Sequence, residues 1–245
     1  MRAIGLIGGL SWESTAVYYR LLNERTRDAL GPYHQPVVIL HSVDFSEVVP
    51  LQQAGDWPAA GAILADAARG LVAAGAGVVG IGANTMHIVA ADVLAALPPD
   101  VPLVSLIDAT AARCLSLGFS TVGLLGTAYT MEAPFYAGGL RAHGLEVVTP
   151  GAADRAEVHR TVYEELVRGA AVEASRQRFA SLVGELASQG CDAVLLACTE
   201  FGLLGLGELT DLPLVDTSEV HVDALLEAAA RPAALEGEPF DFSVP

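Results

Sequence analysis

Short apolar runs alternate along this chain with Ala- and Leu-rich stretches of helical spacing. The runs read AIGLIGG, PVVIL, AGVVGIG, TVGLLGT and DAVLLA. Strand-like runs that alternate with helices are typical of an α/β protein with parallel sheets. The 245 residues are enough for one large domain or for two of about 120 residues each.

Two of these runs break into polar clusters in the same way. Residues 78 to 87 read VVGIGANTMH, and residues 194 to 201 read VLLACTEF. In each case an apolar strand pattern is followed by short polar residues that begin another helical stretch. The position that is Ala83 in the first cluster is Cys198 in the second.

The chain also matches itself over longer segments. GLIGGLSWES (5 to 14) aligns with GLLGTAYTME (123 to 132), and LVAAGAGVVGIGANT (71 to 85) aligns with LASQGCDAVLLACTE (186 to 200), in the same order. Such self-similarity predicts two similar α/β domains with parallel sheets. We place the first domain at 1–105 plus a returning segment at 214–245, and the second at 106–213. Thr217 or Ser218 is expected to cap the helix of the returning segment.

Ligands of open parallel sheets bind beyond the carboxyl ends of the strands, where both polar clusters fall. We therefore expect a site in the cleft between the domains. Its predicted lining is Ser11, Trp12, Ala83, Asn84, Thr85, Thr127 to Thr130, Cys198, Thr199 and Glu200. The alternative is an old duplication that carries no chemistry.

Composition narrows the function. A formal charge of −16 argues against nucleic acid or an anionic membrane as a partner. The N-terminus enters a strand pattern at once, without a signal-peptide layout, so a cytoplasmic location is expected. All 13 basic residues are arginine. A chain without lysine cannot form a pyridoxal-phosphate Schiff base or a GxxxxGK[ST] phosphate loop.

The three cysteines do not suggest a disulfide or a metal site. Cys191 and Cys198 open and close one predicted strand, which separates them by roughly 23 Å. Cys114 falls in a probable helix and is expected to be a small buried side chain. Cys198 follows a strand and precedes a helix start, where a thiolate is stabilised, so it is a candidate base or nucleophile as well as a candidate inert cysteine.

Several other polar residues have two interpretations. Asn84, Thr85 and Thr199 are candidates for binding a carboxylate, but they are equally good helix caps. His87 is either a site residue or a packed histidine. In the predicted helix 158–170, Arg160 and Arg168 are either ion-paired surface residues or bidentate partners of a substrate carboxylate.

Five segments together resemble the aspartate/glutamate racemase superfamily, and its aspartate racemase branch in particular. They are GLIGGLSWESTAVYYRLLNE, ANTMH, LLGTAYTMEAPFY, YEELVRG and ACTEF, and they cover nearly the whole chain in order. The resemblance implies two flavodoxin-like domains with parallel sheets, related by pseudo-two-fold symmetry. It also implies a cofactor-independent enzyme that inverts an acidic amino acid, aspartate or glutamate. In such enzymes a thiolate removes the Cα proton while a thiol on the opposite face returns one. Relatives also suggest a homodimer.

The resemblance assigns roles residue by residue. Cys198 matches the catalytic thiol of the second domain, and Asn84, Thr85 and Thr199 match residues that hold the substrate α-carboxylate. Substrate-binding roles are also implied for five further residues, which are Trp12, Gln52, Thr127, Arg168 and Glu200.

Ala83 departs from the pattern, since it occupies the position where relatives carry the second proton carrier, Cys or Thr. A methyl group cannot transfer a proton. Three hypotheses follow. In the first, the chain is a racemase whose proton carrier at residue 83 was deliberately replaced by Ala83, so that it holds a substrate without turnover. In the second it is a natural one-thiol decarboxylase or isomerase of the same superfamily, and in the third it binds an acidic amino acid without catalysis.

Overall fold

The chain folds as two units. Among the described residues, one comprises Met1–Leu106 and residues 221–231, and the other comprises Ile107–Val220. The structure is a computed structural model, and it describes residues 1–231. Residues 232–245, which the sequence prediction assigns to the first domain, lie outside the described residues.

The first unit is built on a four-stranded parallel sheet with the order β2-β1-β3-β4. Its strands are β1 (Ile4–Gly8), β2 (Val38–Ser42), β3 (Val78–Ile81) and β4 (Leu103–Val104). Its helices are α1 (Trp12–Leu30), α2 (Phe45–Ala54), α3 (Trp57–Ala73) and α4 (Ala90–Ala96), and a 3-10 helix, Thr85–Val89, precedes α4.

The second unit repeats this plan with the sheet order β6-β5-β7-β8, again entirely parallel. Its strands are β5 (Thr121–Gly126), β6 (Glu146–Val148), β7 (Ala193–Ala197) and β8 (Leu214–Asp216). Its helices are α5 (Leu106–Ser116), α6 (Ala128–Glu132), α7 (Pro134–Ala142), α8 (Ala152–Glu164) and α9 (Glu173–Ser188), with short 3-10 helices at Leu166–Arg168, Thr199–Leu204 and Leu206–Glu208. The predicted α/β class and the internal repeat are therefore confirmed.

Alternating side chains of the first sheet enter two separate cores. Ile7, Val79 and Ile81 pack with α3 on one face. Ile4, Leu6 and Val78 pack on the other face with Tyr18 and Leu22 of α1. That second core also contains Val222, Leu225, Leu226 and Ala229 of the last helix, α10 (Thr217–Ala230). Two-sided burial explains why the strands read as continuous apolar runs.

Glycines at repeated positions bring one helix close to the central strand of each sheet. A Cβ added at Gly5 would lie 2.8 Å from the Cβ of Ala76 and 3.2 Å from that of Leu71. A Cβ added at Gly123 would lie 2.9 Å from Leu186 Cδ1 of α9. Both glycines are required by this close approach rather than by their backbone angles.

The returning segment begins later than the sequence prediction places it. Leu214–Asp216 pairs with β7 and belongs to the second sheet, so its assignment to the first domain is wrong. β8 extends the second sheet beside β7 as β4 extends the first beside β3. The internal repeat indicates this correspondence between β4 and β8, since VPLV at 101–104 matches LPLV at 212–215. Only the chain from His221 belongs to the first unit.

The cap of α10 also differs from the prediction. Asp216 Oδ1 accepts hydrogen bonds from the amides of Ser218 (2.8 Å) and Glu219 (3.3 Å). The Thr217 hydroxyl donates instead to the carbonyl of Leu196, at 3.1 Å. Asp216, rather than Thr217 or Ser218, therefore caps the helix, as a carboxylate beside a helix start should.

Candidate active site

The strand end that follows β7 places a thiol, a hydroxyl and a carboxylate together. Cys198 has an extended backbone (φ −153°, ψ 126°) and immediately precedes the 3-10 helix Thr199–Leu204. Its Sγ donates to Glu200 Oε2 at 3.0 Å, and the Thr199 hydroxyl donates to the same oxygen at 2.8 Å. Cys198 and Glu200 are both only 8% exposed. The carboxylate of Glu200 is thus the common acceptor of this cluster.

The surroundings of Cys198 favour the neutral thiol. Burial, and then the negative charges of Glu200 and Asp216, raise the pKa of Cys198 well above its ordinary value. The predicted stabilisation of a thiolate by a helix start is wrong, because the helix here is a short 3-10 turn and a carboxylate lies against the sulfur. Cys198 is therefore arranged as a proton donor whose proton points at Glu200.

Cys198 also has a polar neighbour on the adjacent strand. Gly126 of β5 is paired with Ala197 of β7, so Thr127 and Cys198 leave the sheet side by side. The Thr127 hydroxyl lies 3.3 Å from that of Thr130, and both residues are buried. Thr127 and Cys198, which were both predicted to line the site, are therefore neighbours in this unit.

Two aromatic residues that the sequence did not predict as site residues, His159 and Tyr163, lie beside Tyr129 of the predicted lining. The ring of His159 stacks with Tyr163 (4.7 Å between centroids) and meets Tyr129 edge-on (5.8 Å). Burial raises the pKa of Tyr163 to about 12, with further contributions from Tyr129, Cys198 and Glu200. The only signal for Tyr163 in the sequence is that it lies in YEELVRG, one of the five resembling segments.

His159 is held as a neutral ring. The Ala128 amide donates to its Nδ1 at 3.1 Å. Burial lowers the pKa of His159, against a smaller opposing effect of Glu132.

The two candidate arginines have different environments. The predicted helix 158–170 is not continuous, because α8 ends at Glu164. The 3-10 helix Leu166–Arg168 follows it and ends at Gly169, which has a left-handed backbone (φ 73°). Arg160 pairs with Glu164 at 3.1 Å on the surface. Arg168 is exposed and makes no side-chain hydrogen bond or ion pair with residues 1–231. Its turn packs against the Thr199–Leu204 turn.

The corresponding strand end of the first unit carries no titratable group at residue 83. Ala83 is half-buried and packs against the core that contains α3. Asn84 is 6% exposed and precedes the 3-10 helix Thr85–Val89, but its side chain does not cap that helix. The carbonyl of Ala83 accepts a hydrogen bond from His87 Nδ1 at 2.9 Å. His87 is thus a packed residue whose ring holds the Ala83 carbonyl by a hydrogen bond.

The remaining predicted site residues of the first unit lie at the start of α1, on α2 and at the start of the 3-10 helix Thr85–Val89. Ser11 is buried and caps α1 through a 3.1 Å bond from the Ser14 amide. Trp12 is 70% exposed. Gln52 is buried on α2, and its Nε2 lies 3.0 Å from Met86 Sδ. The loops after β1 and β3 are adjacent, since the Gly82 amide donates to the Ile7 carbonyl at 2.9 Å.

Two parallel-sheet units built on one repeated plan, with a buried thiol and a carboxylate at one strand end, define an α/β protein with a candidate active site at the carboxyl end of β7. The chain belongs to the Asp/Glu/hydantoin racemase family, whose model matches residues 7–225. This confirms the resemblance read from the five sequence segments.

Solved structures of family members superpose on the chain. A crystal structure of an assigned Asp/Glu racemase from Yersinia pestis is 43% identical, covers 94% of this chain and 100% of that chain, and gives a TM-score of 0.88. An aspartate racemase homologue from Pyrococcus horikoshii is 36% identical, with the same coverages and a TM-score of 0.83. An aspartate racemase from Picrophilus torridus is 23% identical, covers 94% of each chain, gives a TM-score of 0.75 and shows a common fold.

Among residues 1–231, none of the helices is both long and apolar enough to cross a membrane.

Proposed function

We propose that this chain is a cofactor-independent enzyme that moves the Cα proton of an acidic amino acid, aspartate or glutamate, with Cys198 as its proton carrier. The observation that carries the proposal is the buried Cys198 thiol, 3.0 Å from the Glu200 carboxylate at the carboxyl end of β7. Family membership supports the racemase type of chemistry.

The cluster allows Cys198 to act both as a base and as an acid. Glu200 takes the Sγ proton, and the resulting thiolate takes the Cα proton of the substrate, leaving a carbanion whose charge spreads into the α-carboxylate. Returning the proton from Sγ to Cα, and that of Glu200 to Sγ, restores the starting state. The transfer between Sγ and Glu200 joins groups in hydrogen-bond contact, as general acid–base catalysis requires.

Residue 83 determines whether inversion follows. Ala83 has no transferable proton, so the proton returns from Cys198 to the same face of the carbanion. The proposed reaction of this chain is therefore Cα proton exchange in one enantiomer, and two-base racemisation needs a carrier at residue 83.

Binding of the substrate is proposed from the resemblance together with one structural observation. Asn84, Thr85 and Thr199 are proposed to hold the α-carboxylate. Arg168 is proposed for the side-chain carboxylate, because it is uncommitted among the described residues and its turn packs against the Thr199–Leu204 turn. Arg160 is not proposed, since it already pairs with Glu164. Ser11, Trp12, Gln52 and Thr127 stay predicted substrate contacts.

A second candidate function is supported by the protonated state of Cys198. A thiol whose pKa is raised suits an enzyme that only donates a proton, such as a one-thiol decarboxylase that protonates an enediolate on one face. In this case carbon dioxide leaves the substrate, the electron pair of the broken bond enters the enediolate, and Cys198 supplies the proton.

Incubation in deuterated water distinguishes these functions. We expect one enantiomer of aspartate or glutamate to lose its Cα proton signal in NMR spectra, while the other is unchanged. Ordinary racemisation by this chain would show that residue 83 need not carry a proton. Decarboxylation of a disubstituted malonate without amino-acid exchange would support the second function. Ligand-induced stabilisation without exchange or decarboxylation would leave only a binding role.

A further inference from the structure

Two histidines of the first unit form a buried pair that the proposed chemistry does not use. His87 is 5% exposed and His221 is fully buried. Their rings lie 5.7 Å apart with an angle of 75° between planes. Buried polar rings of this kind are retained only when their nitrogen atoms are hydrogen-bonded.

The bonds of His87 identify its protonation state. Nδ1 lies 2.9 Å from the carbonyl oxygen of Ala83, which can only accept. Nε2 lies 3.0 Å from the amide of Leu106, which can only donate. A ring that donates through Nδ1 and accepts through Nε2 is neutral imidazole with its proton on Nδ1.

His221 completes the arrangement with the opposite tautomer. Its Nε2 donates to the carbonyl of Val104 at 2.9 Å, and its Nδ1 accepts from the hydroxyl of Tyr18 at 2.8 Å. Burial first, and then the proximity of His87, lower the pKa of His221 to about 3. The ring of His221 is therefore neutral as well, and it packs against one side of the His87 ring.

The contact with Ala83 fixes a peptide group that the following helix leaves unused. The His87 amide bonds to the Asn84 carbonyl at 3.1 Å, in the short 3-10 pattern, so the Ala83 carbonyl is not part of that bond. In a trans peptide the carbonyl and the next amide point in opposite directions. With the Ala83 carbonyl held by His87, the Asn84 amide must point away from the ring.

We propose that His87 is a positioning residue, which holds the Ala83 carbonyl and thereby sets the directions of the residue 83 side chain and of the Asn84 amide. The proposal rests on the proposed function, since those groups are proposed to face the substrate. A rotated peptide would turn its carbonyl oxygen, instead of the amide, toward an anionic ligand.

Two substitutions separate this role from general stability. His87→Asn can place its amide nitrogen near the position of Nδ1 and keep the bond to Ala83. His87→Gln can place its amide oxygen near Nε2 and keep the bond from Leu106, but it loses the one to Ala83. The surface histidine His143, which bonds Asp108 at 2.9 Å, supplies the control His143→Asn.

The first readout does not require activity. With alanine methyl groups labelled with ¹³C, we expect the Ala83 methyl signal to move in His87→Gln and to stay near its wild-type position in His87→Asn. In wild-type protein, ¹⁵N spectra of the rings should show the proton of His87 on Nδ1. A proton on Nε2, or equal movement of the Ala83 signal in both variants, would overturn the proposal.

The second readout is binding of L- and D-aspartate and glutamate. We expect His87→Gln to weaken binding by roughly tenfold, as expected for one lost hydrogen bond, and His87→Asn to weaken it far less. Equal weakening in both variants would contradict the positioning role. If wild-type protein binds none of these four ligands, the proposed function fails, while the Ala83 methyl signal still decides the role of His87.

Discussion

The strand ends after β3 and β7 have the same backbone plan and different chemistry. Each follows a fully buried parallel strand and is followed by a 3-10 helix, Thr85–Val89 after three intervening residues and Thr199–Leu204 after one. The second end carries a thiol bonded to a carboxylate. The first carries a methyl group and has its carbonyl fixed by a neutral histidine. The comparison teaches that similar strand ends can carry either a thiol–carboxylate cluster or a methyl group beside a fixed carbonyl.

The largest expected effect tests whether all proton transfer depends on the second strand end. Cys198→Ser should lower the rate of Cα proton exchange by at least about 100-fold, because a hydroxyl is a much weaker acid than a thiol. Exchange in deuterated water, followed by NMR, measures this. Cys191→Ser is the matched control, since Cys191 is also buried and precedes the same strand. If the Cys198→Ser variant still exchanges the Cα proton at the wild-type rate, proton transfer does not depend on the second strand end.

The next effect tests whether the first strand end lacks only a proton carrier. Ala83→Cys should raise the rate of racemisation by roughly 100-fold, because the resemblance places the second carrier at this residue. Chiral chromatography of aspartate and glutamate measures both directions. Ala83→Val, which fills similar space without a thiol, is the control. If the folded Ala83→Cys variant racemises no faster than Ala83→Val, the two ends differ in more than one side chain.

The third prediction concerns the pH dependence of stability, because the buried histidines make the first unit sensitive to acid. His221 has a folded pKa of about 3, below its ordinary 6.5, so its stabilising contribution is complete above pH 6.5 and is lost as the pH falls toward 3. The loss is on the order of 3–5 kcal/mol. Denaturant unfolding between pH 7 and 3 should show a shallower decline in His221→Gln than in wild type. Parallel declines would mean that His221 does not titrate as its surroundings indicate.

The smallest effect concerns the protonation of Cys198. Since the charge of Glu200 helps to raise the thiol pKa, Glu200→Gln should shift alkylation of Cys198 by iodoacetamide to lower pH and make it several-fold faster at a fixed pH. Mass spectrometry of the labelled peptides gives the rate, with Cys191 as an internal reference and the exposed Glu164→Gln as a control. An unchanged Cys198 profile would show that burial alone sets the protonation of the thiol.

Much of the architecture could be predicted because it depends on repeated local patterns. The apolar runs, the glycines at 5 and 123 and the two polar clusters all recur at nearly constant offsets. β8 was misplaced because three residues carry little periodicity, and only the short match between VPLV and LPLV marks its sheet. Asp216 was missed as a cap because the hydroxyls of Thr217 and Ser218 are equally good candidates in sequence.

The candidate site was less predictable, because its properties depend on contacts between distant residues. That Glu200 accepts from Cys198, and so favours the thiol over the predicted thiolate, depends on side-chain directions at a turn. The stacking of His159 and Tyr163 needs a helix whose bounds the sequence pattern shifted by six residues, from 158 to 152. The His87–His221 pair joins residues 134 positions apart, counted as 221 − 87.

The position of α10 has a consequence for biosynthesis. Val222, Leu225, Leu226 and Ala229 cover the face of the first sheet formed by Ile4, Leu6 and Val78. As the chain leaves the ribosome from its N-terminus, this face stays uncovered until the last helix emerges, after every strand of the second unit has been made. The half that is translated first is therefore the half that is completed last, and nascent chains that stop before residue 221 expose its apolar sheet to chaperones and to aggregation.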